Sequence, residues 1–176
     1  MLALERICSR DGKGKPLSML ASPAREDCVP IDVMIRDFSS ADREPCARIL
    51  SKAGRMAFYW ADWPVFDGPG FDEVTKGEQI LVAETHNQVV GFAAVYMPEN
   101  FLHHLYIDPD LAGCGIGATL LGETIRRYGP ALSLKCQMRN QVARNFYRKC
   151  GWLEDDQPGG ADRLGSWLFI RSPGPF

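Results

Sequence analysis

The sequence predicts a mixed α/β fold in which helices cover both faces of a central sheet of about six to seven strands. Apolar runs rich in β-branched residues alternate with segments whose apolar residues recur at the helical period. A strand, a helix and another strand follow one another over 101–137, which is the order of a parallel βαβ unit. The two apolar runs of 78–97 flank a short turn, as in an antiparallel hairpin. The sheet is therefore expected to contain both kinds of strand pair.

Length and composition indicate an ordinary globular protein. The chain has 176 residues, of which 45% are hydrophobic, and its formal net charge is -2. It lacks the basic excess that favours nucleic acid or a membrane surface, and no apolar run approaches the roughly 18 residues of a membrane span, so neither partner is expected. The six cysteines are scattered without a C-x-x-C pair. No metal site is expected, and reduced thiols in the cytoplasm are favoured.

The first part of the chain divides into an extension and the start of a single domain. Residues 1–30 mix glycine, proline, serine and charges without a sustained period, which favours a flexible extension before a domain over 31–176. A helix is predicted over 39–54, after a short strand. Ser39 and Asp42 are spaced as in a capping box, which is typical of a helix start.

Five more strands and two more helices are predicted after that helix. An aromatic-rich segment over 56–77 is broken by glycine and proline, and the hairpin that follows turns at His86 and Asn87. The remaining elements are predicted, in order, as a strand over 101–107, a helix over 115–129, a strand over 131–137, a helix over 140–151 and a strand over 165–172.

The glycine-rich stretch "DPDLAGCGIGATLL" (108–121) satisfies two different phosphate-binding patterns. One is the dinucleotide fingerprint G-x-G-x-x-A, and the other is the loop that holds the pyrophosphate of coenzyme A. A dinucleotide fold places its first glycine directly after a strand, whereas five residues separate Ile107 from Gly113 here. It also needs a carboxylate at the end of the next strand, and 131–137 has none. A nicotinamide or flavin enzyme is therefore the weaker alternative.

Two motifs together resemble the GNAT superfamily of N-acetyltransferases. The first is "LYIDPDLAGCGIGATLL" (105–121), and the second is "NQVARNFYRKCGW" (140–152). The resemblance extends over roughly 31–171 and implies the GNAT fold, with a splayed pair of parallel strands. It also implies acetyl-CoA as co-substrate, no metal, and acetyl transfer to a primary amine of a small molecule or a protein. Homodimers are common in this family. Ala112 departs from the pattern, because the family usually has glutamine or arginine there.

The resemblance assigns the cofactor-binding residues to three segments. The strand before the loop would pair with the pantetheine amides, and the Ile107 N–H would donate to the thioester oxygen. The loop would seat the pyrophosphate, and the second motif would contact the pantetheine arm. The residues implied are Leu105, Tyr106, Ile107, Gly113, Cys114, Gly115, Ile116, Gly117, Ala118, Asn140, Ala143 and Phe146.

Two catalytic residues are proposed from the sequence. Tyr147 occupies the family position of a general acid, and a phenol is neutral and able to donate at pH 7. The glutamates that relatives use as base are replaced by Phe101 and Lys135. His103 shares strand parity with 101 and has a side chain that titrates near neutrality, so it is the candidate base. A water chain, Glu84 or Glu99 remain alternatives.

The aromatic segment after the first helix supplies the candidate acceptor site. In the family this region forms the wall of the acceptor site, and here it contains Tyr59, Trp60 and Trp63. The alternative interpretation is that these residues belong to the hydrophobic core under an irregular loop. A second function also remains open. Because the family glutamates and the residue at 112 are missing, the chain could bind acetyl-CoA without catalysis, as a sensor or an interaction module.

Overall fold

The computed structural model describes residues 32–61 and 70–173, so the predicted extension lies outside the described residues. The described part contains one seven-stranded sheet and four α-helices, joined in places by short 3-10 turns. The strands are β1 (Met34–Asp37), β2 (Gln79–Thr85), β3 (Gln88–Tyr96), β4 (Phe101–Ile107), β5 (Ser133–Gln137), β6 (Leu153–Asp162) and β7 (Gly165–Arg171). The helices are α1 (Arg43–Ala57), α2 (Phe71–Val74), α3 (Ile116–Tyr128) and α4 (Gln141–Lys149).

The strand order across the sheet is β1-β2-β3-β4-β5-β7-β6. Every neighbouring pair is antiparallel except β4 and β5, which are parallel and connected through α3. The mixed sheet predicted from the sequence is thereby confirmed. None of the described helices has the length and apolar character that crossing a membrane requires.

Helices pack on both faces of the sheet, and each face has its own core. On one face, α1 and α2 cover side chains of β2, β3 and β4, and on the other face α3 and α4 do so. The alternation of side chains along a strand accounts for this division. Buried residues of the first core include Cys46, Ile49, Phe58, Phe92 and Tyr106, and those of the second include Leu105, Ile107, Leu120, Tyr147 and Trp152.

The hairpin of β2 and β3 turns as its sequence predicts. His86 and Asn87 have φ values of 48° and 59°. Two successive positive φ values are the requirement of a two-residue hairpin turn whose twist matches the strands, and asparagine tolerates them well. Thr85 and Gln88 then face each other across the strands.

A buried ion-pair network holds the start of α1 against the sheet. Asp42 accepts from the Ser39 backbone N–H at 2.7 Å, which completes the predicted capping box. Its carboxylate also receives two hydrogen bonds from Arg36, and Arg36 in turn contacts Glu84 on β2 at 2.6 Å. The hydrogen bonds from Arg36 hold the pKa of Asp42 at about 2.

β6 is a strand that the sequence reading did not anticipate. It lies at the edge of the sheet, most of its side chains are exposed, and its pairing with β7 shifts register on both sides of Pro158. Proline, glycine and acidic residues give it neither an apolar run nor an alternating pattern, and edge strands are where proline is tolerated.

The described cysteines differ in one respect from the sequence expectation. Cys46, Cys136 and Cys150 are free thiols, and burial raises the pKa of Cys46 and of Cys136 to about 12. Cys114 is disulfide-bonded. The expectation that all thiols are reduced is therefore wrong at Cys114.

Candidate active site

The parallel strands β4 and β5 diverge after a single point of contact. Phe101 faces Ser133 across the pair, and the Ser133 N–H donates to the Asn100 carbonyl at 2.9 Å. Among the residues that the structure describes, no further register pair joins the two strands. Their carboxyl-terminal halves thus form an open wedge in the middle of the sheet, as the resemblance implied.

The glycine loop lies between β4 and α3, at the open end of this wedge. After a 3-10 turn over Pro109–Leu111, the chain passes through Gly113 and Gly115, whose φ values are 86° and 80°. Side chains are strained in this conformation, which explains glycine at both positions. Gly115 is the N-cap of α3. The first N–H groups of a helix lack intrahelical acceptors and carry a partial positive charge, so this geometry fits a diphosphate.

Lys52 of α1 forms ion pairs with two carboxylates that precede the glycine loop. Its Nζ lies 2.7 Å from Asp108 Oδ1 and 2.8 Å from Asp110 Oδ2, and these hydrogen bonds raise the pKa of Lys52. Ala112 contributes no charge to the loop. Without Lys52, the carboxylates would add an uncompensated negative potential beside any diphosphate.

The backbone of β4 presents alternate peptide groups to the wedge. The Asp108 N–H donates to the Val90 carbonyl of β3 at 2.7 Å. Because the backbone groups of successive residues in a strand point to opposite sides, Tyr106 also directs its groups at β3, whereas Leu105 and Ile107 direct theirs away from it. The backbone pairing expected with the pantetheine arm is accordingly limited to Leu105 and Ile107.

A cavity of about 710 Å³ opens beside the beginning of β4 and β5, on the side of β6 and β7. Three aromatic side chains and four ionisable ones line it, together with small residues of β6. Lys135 Nζ lies 5.0 Å from the centre of the Phe169 ring, within cation–π range. The lining side chains named here are Phe101, Trp167, Phe169, Glu99, His103, Lys135 and Asp162.

His103 reaches this cavity because β4 bulges at its position. Consecutive residues Ala94 and Val95 of β3 pair with His104 and Leu102, so His103 has no counterpart on β3. A bulge redirects the side chain that it carries. His103 is 40% exposed, its ring lies 4.8 Å from the Phe101 ring, and its Nδ1 contacts the carboxylate of Glu78, which precedes β2.

The ring of His104 lies 6.2 Å from that of His103, but it is buried and cannot serve as a base. Its Nε2 lies 3.1 Å from the Val74 carbonyl, and its ring lies 6.1 Å from that of Tyr106. Burial lowers the pKa of His104 to about 3, so the ring stays neutral at physiological pH. Its Nε2 carries the proton that bonds Val74, which leaves Nδ1 buried without a partner among the described residues.

The second sequence motif forms α4, which lies against the wedge. Asn140 is the N-cap, and its side-chain oxygen accepts from the Ala143 N–H at 3.0 Å. Ala143 is fully buried and Phe146 is half-buried against the core. The N-cap role predicted for Asn140 is confirmed, and the contacts expected with the pantetheine arm remain a prediction.

The phenol of Tyr147 is buried in the core and does not line the cavity. Its ring lies 5.2 Å from Phe146 and 5.6 Å from Trp152, and its hydroxyl has no hydrogen-bond partner among the described residues. Burial raises the pKa of Tyr147 well above the ordinary value of a phenol. The hydroxyl therefore keeps its proton. A buried hydroxyl without a partner costs about 1–3 kcal/mol, which a bound acceptor atom would relieve.

Two of the aromatic residues predicted for the acceptor site, Tyr59 and Trp60, are not part of the cavity lining. Tyr59 is 64% exposed, and Trp60 donates its Nε1–H to the Leu164 carbonyl at 2.9 Å; neither lines the cavity. Trp63 lies outside the described residues. The aromatic wall is formed instead by Phe101 and by two residues of β7, Trp167 and Phe169.

Gln137 fixes the orientation of Trp167 in that wall. It is fully buried, it accepts from Trp167 Nε1 at 3.0 Å and it donates to the Ser166 carbonyl at 3.0 Å. The alternation of "GSWLFIRS" could have identified the wall, because Trp167 and Phe169 share one face of β7. Within the described ranges, no cluster of histidine, cysteine or acidic residues is arranged to hold a metal ion.

Comparisons with known proteins agree with this geometry. Residues 42–152 match the model of the acetyltransferase (GNAT) family. The chain is 33% identical over 72 residues to the peptidyl-lysine N-acetyltransferase YjaB of Escherichia coli. This match covers 41% of the present chain and 47% of YjaB. It is 31% identical over 143 residues to the uncharacterized protein ML0378 of Mycobacterium leprae. This match covers 75% of the present chain and 37% of ML0378. Each of these sequence matches thus covers less than half the length of the relative.

Solved structures share the fold at low sequence identity. The solution structure of apo YjaB superposes with a TM-score of 0.69 at 20% identity, covering 82% of this chain and 100% of that one. The PaiA N-acetyltransferase of Thermoplasma acidophilum, crystallised with coenzyme A, gives a TM-score of 0.66 at 17% identity, covering 81% of this chain and 100% of that one.

Proposed function

Because the chain belongs to the acetyltransferase (GNAT) family, we propose that it is an N-acetyltransferase that moves an acetyl group from acetyl-CoA to a primary amine. The acceptor is a small molecule or a protein amine, and the reaction takes place in the cytoplasm. The observation that carries this proposal is the divergence of β4 and β5 between the glycine loop and the cavity. A thioester arm laid in the wedge would bring its acyl end to the cavity that His103 lines.

The cofactor side of the proposed site consists of backbone groups and small residues. Peptide groups from Gly113 to Ala118 hold the diphosphate at the start of α3, where the positive end of the helix dipole lies. The outward backbone groups of Leu105 and Ile107 pair with the amides of the arm, as a neighbouring strand would. Ala143 and Phe146 provide an apolar floor beside Asn140.

Bound acetyl-CoA supplies an acetyl group that is activated as a thioester. His103 Nε2 takes one proton from the acceptor ammonium, which leaves the amine lone pair ready to attack. The Ile107 N–H donates to the carbonyl oxygen as negative charge develops there. The Tyr147 hydroxyl gives its proton to the departing sulfur, and the second proton that the acceptor nitrogen loses on becoming an amide restores the phenol. Positioning the amine and the thioester together supplies the remaining rate enhancement.

The acceptor side is aromatic with charges of both signs. Phe101, Trp167 and Phe169 offer flat apolar surface, while Glu99 and Asp162 attract an ammonium group at the rim. YjaB is named as a peptidyl-lysine N-acetyltransferase, so a lysine peptide belongs with small amines in the acceptor panel. Tyr59 and Trp60 would then contact only acceptors large enough to extend beyond the cavity.

The test measures free thiol released from acetyl-CoA with a panel of amines that includes polyamines, amino acids and a lysine peptide. We expect turnover with at least one acceptor, and a loss of about 100-fold in kcat for His103→Gln with acetyl-CoA affinity unchanged. Calorimetric titration with acetyl-CoA and with NADH accompanies it. Acetyl-CoA binding without turnover on any amine would instead support a sensor or interaction module, and NADH binding would support a dinucleotide enzyme.

A further inference from the structure

We propose that Glu78 is a positioning residue that orients His103 and stabilises its protonated form during proton transfer. This inference rests on the proposed function, in which His103 is the base. Glu78 immediately precedes β2, and β3 separates that strand from β4 in the sheet. Its carboxylate therefore reaches across β3 to contact the imidazole at the bulge of β4.

The contact joins a buried carboxylate to a half-exposed ring. The Glu78 side chain is 3% exposed, whereas the His103 side chain is 40% exposed. Glu78 Oε1 contacts His103 Nδ1, and Glu78 Oε2 has no hydrogen-bond partner in the described part of the chain. Burying a carboxylate costs several kcal/mol unless a cation or donors compensate it. In the described structure, His103 is the group that can provide that compensation.

This arrangement determines which nitrogen of His103 can act as a base. A carboxylate only accepts hydrogen bonds, so Nδ1 carries the proton and the lone pair of the neutral ring is on Nε2. The bulge at His103 directs the ring toward the cavity, and the contact with Glu78 limits its rotation. The ring is also stacked 6.1 Å from Tyr96. The lone pair is thereby held toward the acceptor side before any amine arrives.

The proton transfer is balanced within the acceptor and the imidazole. An N–H bond of the acceptor ammonium breaks, a new N–H bond forms at His103 Nε2, and the electron pair of the broken bond stays on the amine. The imidazolium that results is paired with the buried Glu78 carboxylate, to which its opposite charge is attracted. The proton then leaves to water. Glu78 accepts no proton in this step and touches neither substrate.

Among the described residues, three other charged side chains line the same cavity, and a pH measurement must distinguish their effects from that of His103. Glu99 precedes β4, Lys135 lies on β5, and Asp162 ends β6; all three line the cavity with His103. None of them has a described hydrogen bond to the imidazole. Glu78 differs from these three because its side chain is buried and contacts the ring directly.

The first test is a nuclear magnetic resonance titration of the histidine ring nitrogens, which needs no acceptor. The chain has three histidines, and the His103→Gln variant assigns the signals of His103. We expect the wild-type neutral ring to carry its proton on Nδ1. In Glu78→Gln we expect the titration midpoint to move to lower pH by about one unit, because a carboxylate favours the protonated imidazole beside it. An unchanged midpoint together with an unchanged tautomer would overturn the proposal.

The second test is the pH profile of kcat/KM with the best acceptor of the panel. In Glu78→Gln we expect a fall of about 10- to 100-fold and an acid limb displaced to lower pH, while acetyl-CoA affinity is unchanged. Glu78→Asp keeps the charge and should recover part of the rate. Glu73→Gln, an exposed glutamate of α2, is the matched control and should behave as wild type. Urea unfolding shows whether each variant is folded.

The outcomes distinguish this inference from the proposed function. If wild type turns over and His103→Gln is inactive, but Glu78→Gln keeps the wild-type profile and midpoint, Glu78 has no positioning role and the acetyltransferase stands. If no amine is acetylated while the Glu78→Gln midpoint moves as expected, the proposed function fails and the contact is a structural pair. A lower rate with an unmoved midpoint and limb would also contradict the inference.

Discussion

Tyr147→Phe removes a single oxygen atom from the core and should have opposite effects on folding and on turnover. The hydroxyl is buried and has no partner in the described structure, whereas the ring contacts Phe146 and Trp152. Leaving a buried hydroxyl unpaired costs about 1–3 kcal/mol, and phenylalanine keeps the ring contacts. We therefore expect the unliganded variant to be more stable than wild type by about 1 kcal/mol. In a domain of this size that corresponds to a rise in Tm of about 2–4 °C.

Urea unfolding of the unliganded protein measures the first effect, and thiol release from acetyl-CoA measures the second. With an m-value of about 2 kcal/mol/M, the urea midpoint should rise by about 0.5 M, while kcat should fall by about 10-fold or more. Tyr128→Phe, on the half-buried outer end of α3, serves as the control for removing a phenol oxygen. A loss of stability would refute the reasoning, because it would mean that the hydroxyl is hydrogen-bonded before any ligand binds. Greater stability with unaltered turnover would exclude Tyr147 as the acid.

Three further predictions follow from the backbone and from the buried ion pair. Gly115→Ala should weaken acetyl-CoA binding in calorimetry by about 10-fold, because the free loop would relax away from φ 80° and binding would have to restore that conformation at a cost of about 1–2 kcal/mol. Gly122→Ala inside α3 should be neutral or stabilising. Gly91→Ala should lower the urea midpoint, because its Cβ would lie 2.9 Å from a backbone carbonyl of β4; a midpoint equal to wild type would contradict that packing. Asp42 has its folded pKa held at about 2 by Arg36, below the ordinary value of about 4, so about 2 kcal/mol of stability is present above pH 4 and lost as pH falls toward 2. Asp42→Asn should flatten urea-derived stability across that pH range, and an unaltered pH dependence would exclude Asp42 as its source.

Motifs with a fixed local geometry could be predicted from the sequence, and they account for most of the fold. Three such motifs depend only on neighbours within a few residues, so they could be predicted from the sequence: the turn at His86 and Asn87, the capping box, and the N-cap at Asn140. β6 could not be predicted, because an exposed edge strand needs no apolar pattern. Its existence depends on pairing with β7, which is a property of the assembled sheet.

The sequence identified His103 as the candidate base from strand parity, and the structure gives a different reason for its position, a bulge in β4. Strand parity would place His103 on the same face as Leu105, yet Leu105 is fully buried in the core and His103 faces the cavity. The bulge at His103 breaks the alternation, and a bulge has no dependable signature in a single sequence. Glu78 was missed altogether, because it lies 25 residues upstream of His103 and meets it only through the folding of three strands.

Because β6 lies at the edge of the sheet, the residues proposed to recognise the acceptor can change without altering those proposed to bind the acyl donor. Gly160, Ala161 and Asp162 border the acceptor cavity from a strand that has a neighbour on one side only, whereas the donor groove is enclosed by the centre of the sheet. Under the proposed function, substitutions or insertions near Gly160 would therefore change which amine is accepted without disturbing the thioester. Gly159 cannot be replaced in the same way, because a Cβ at this position would lie 2.9 Å from the backbone carbonyl carbon of Trp167.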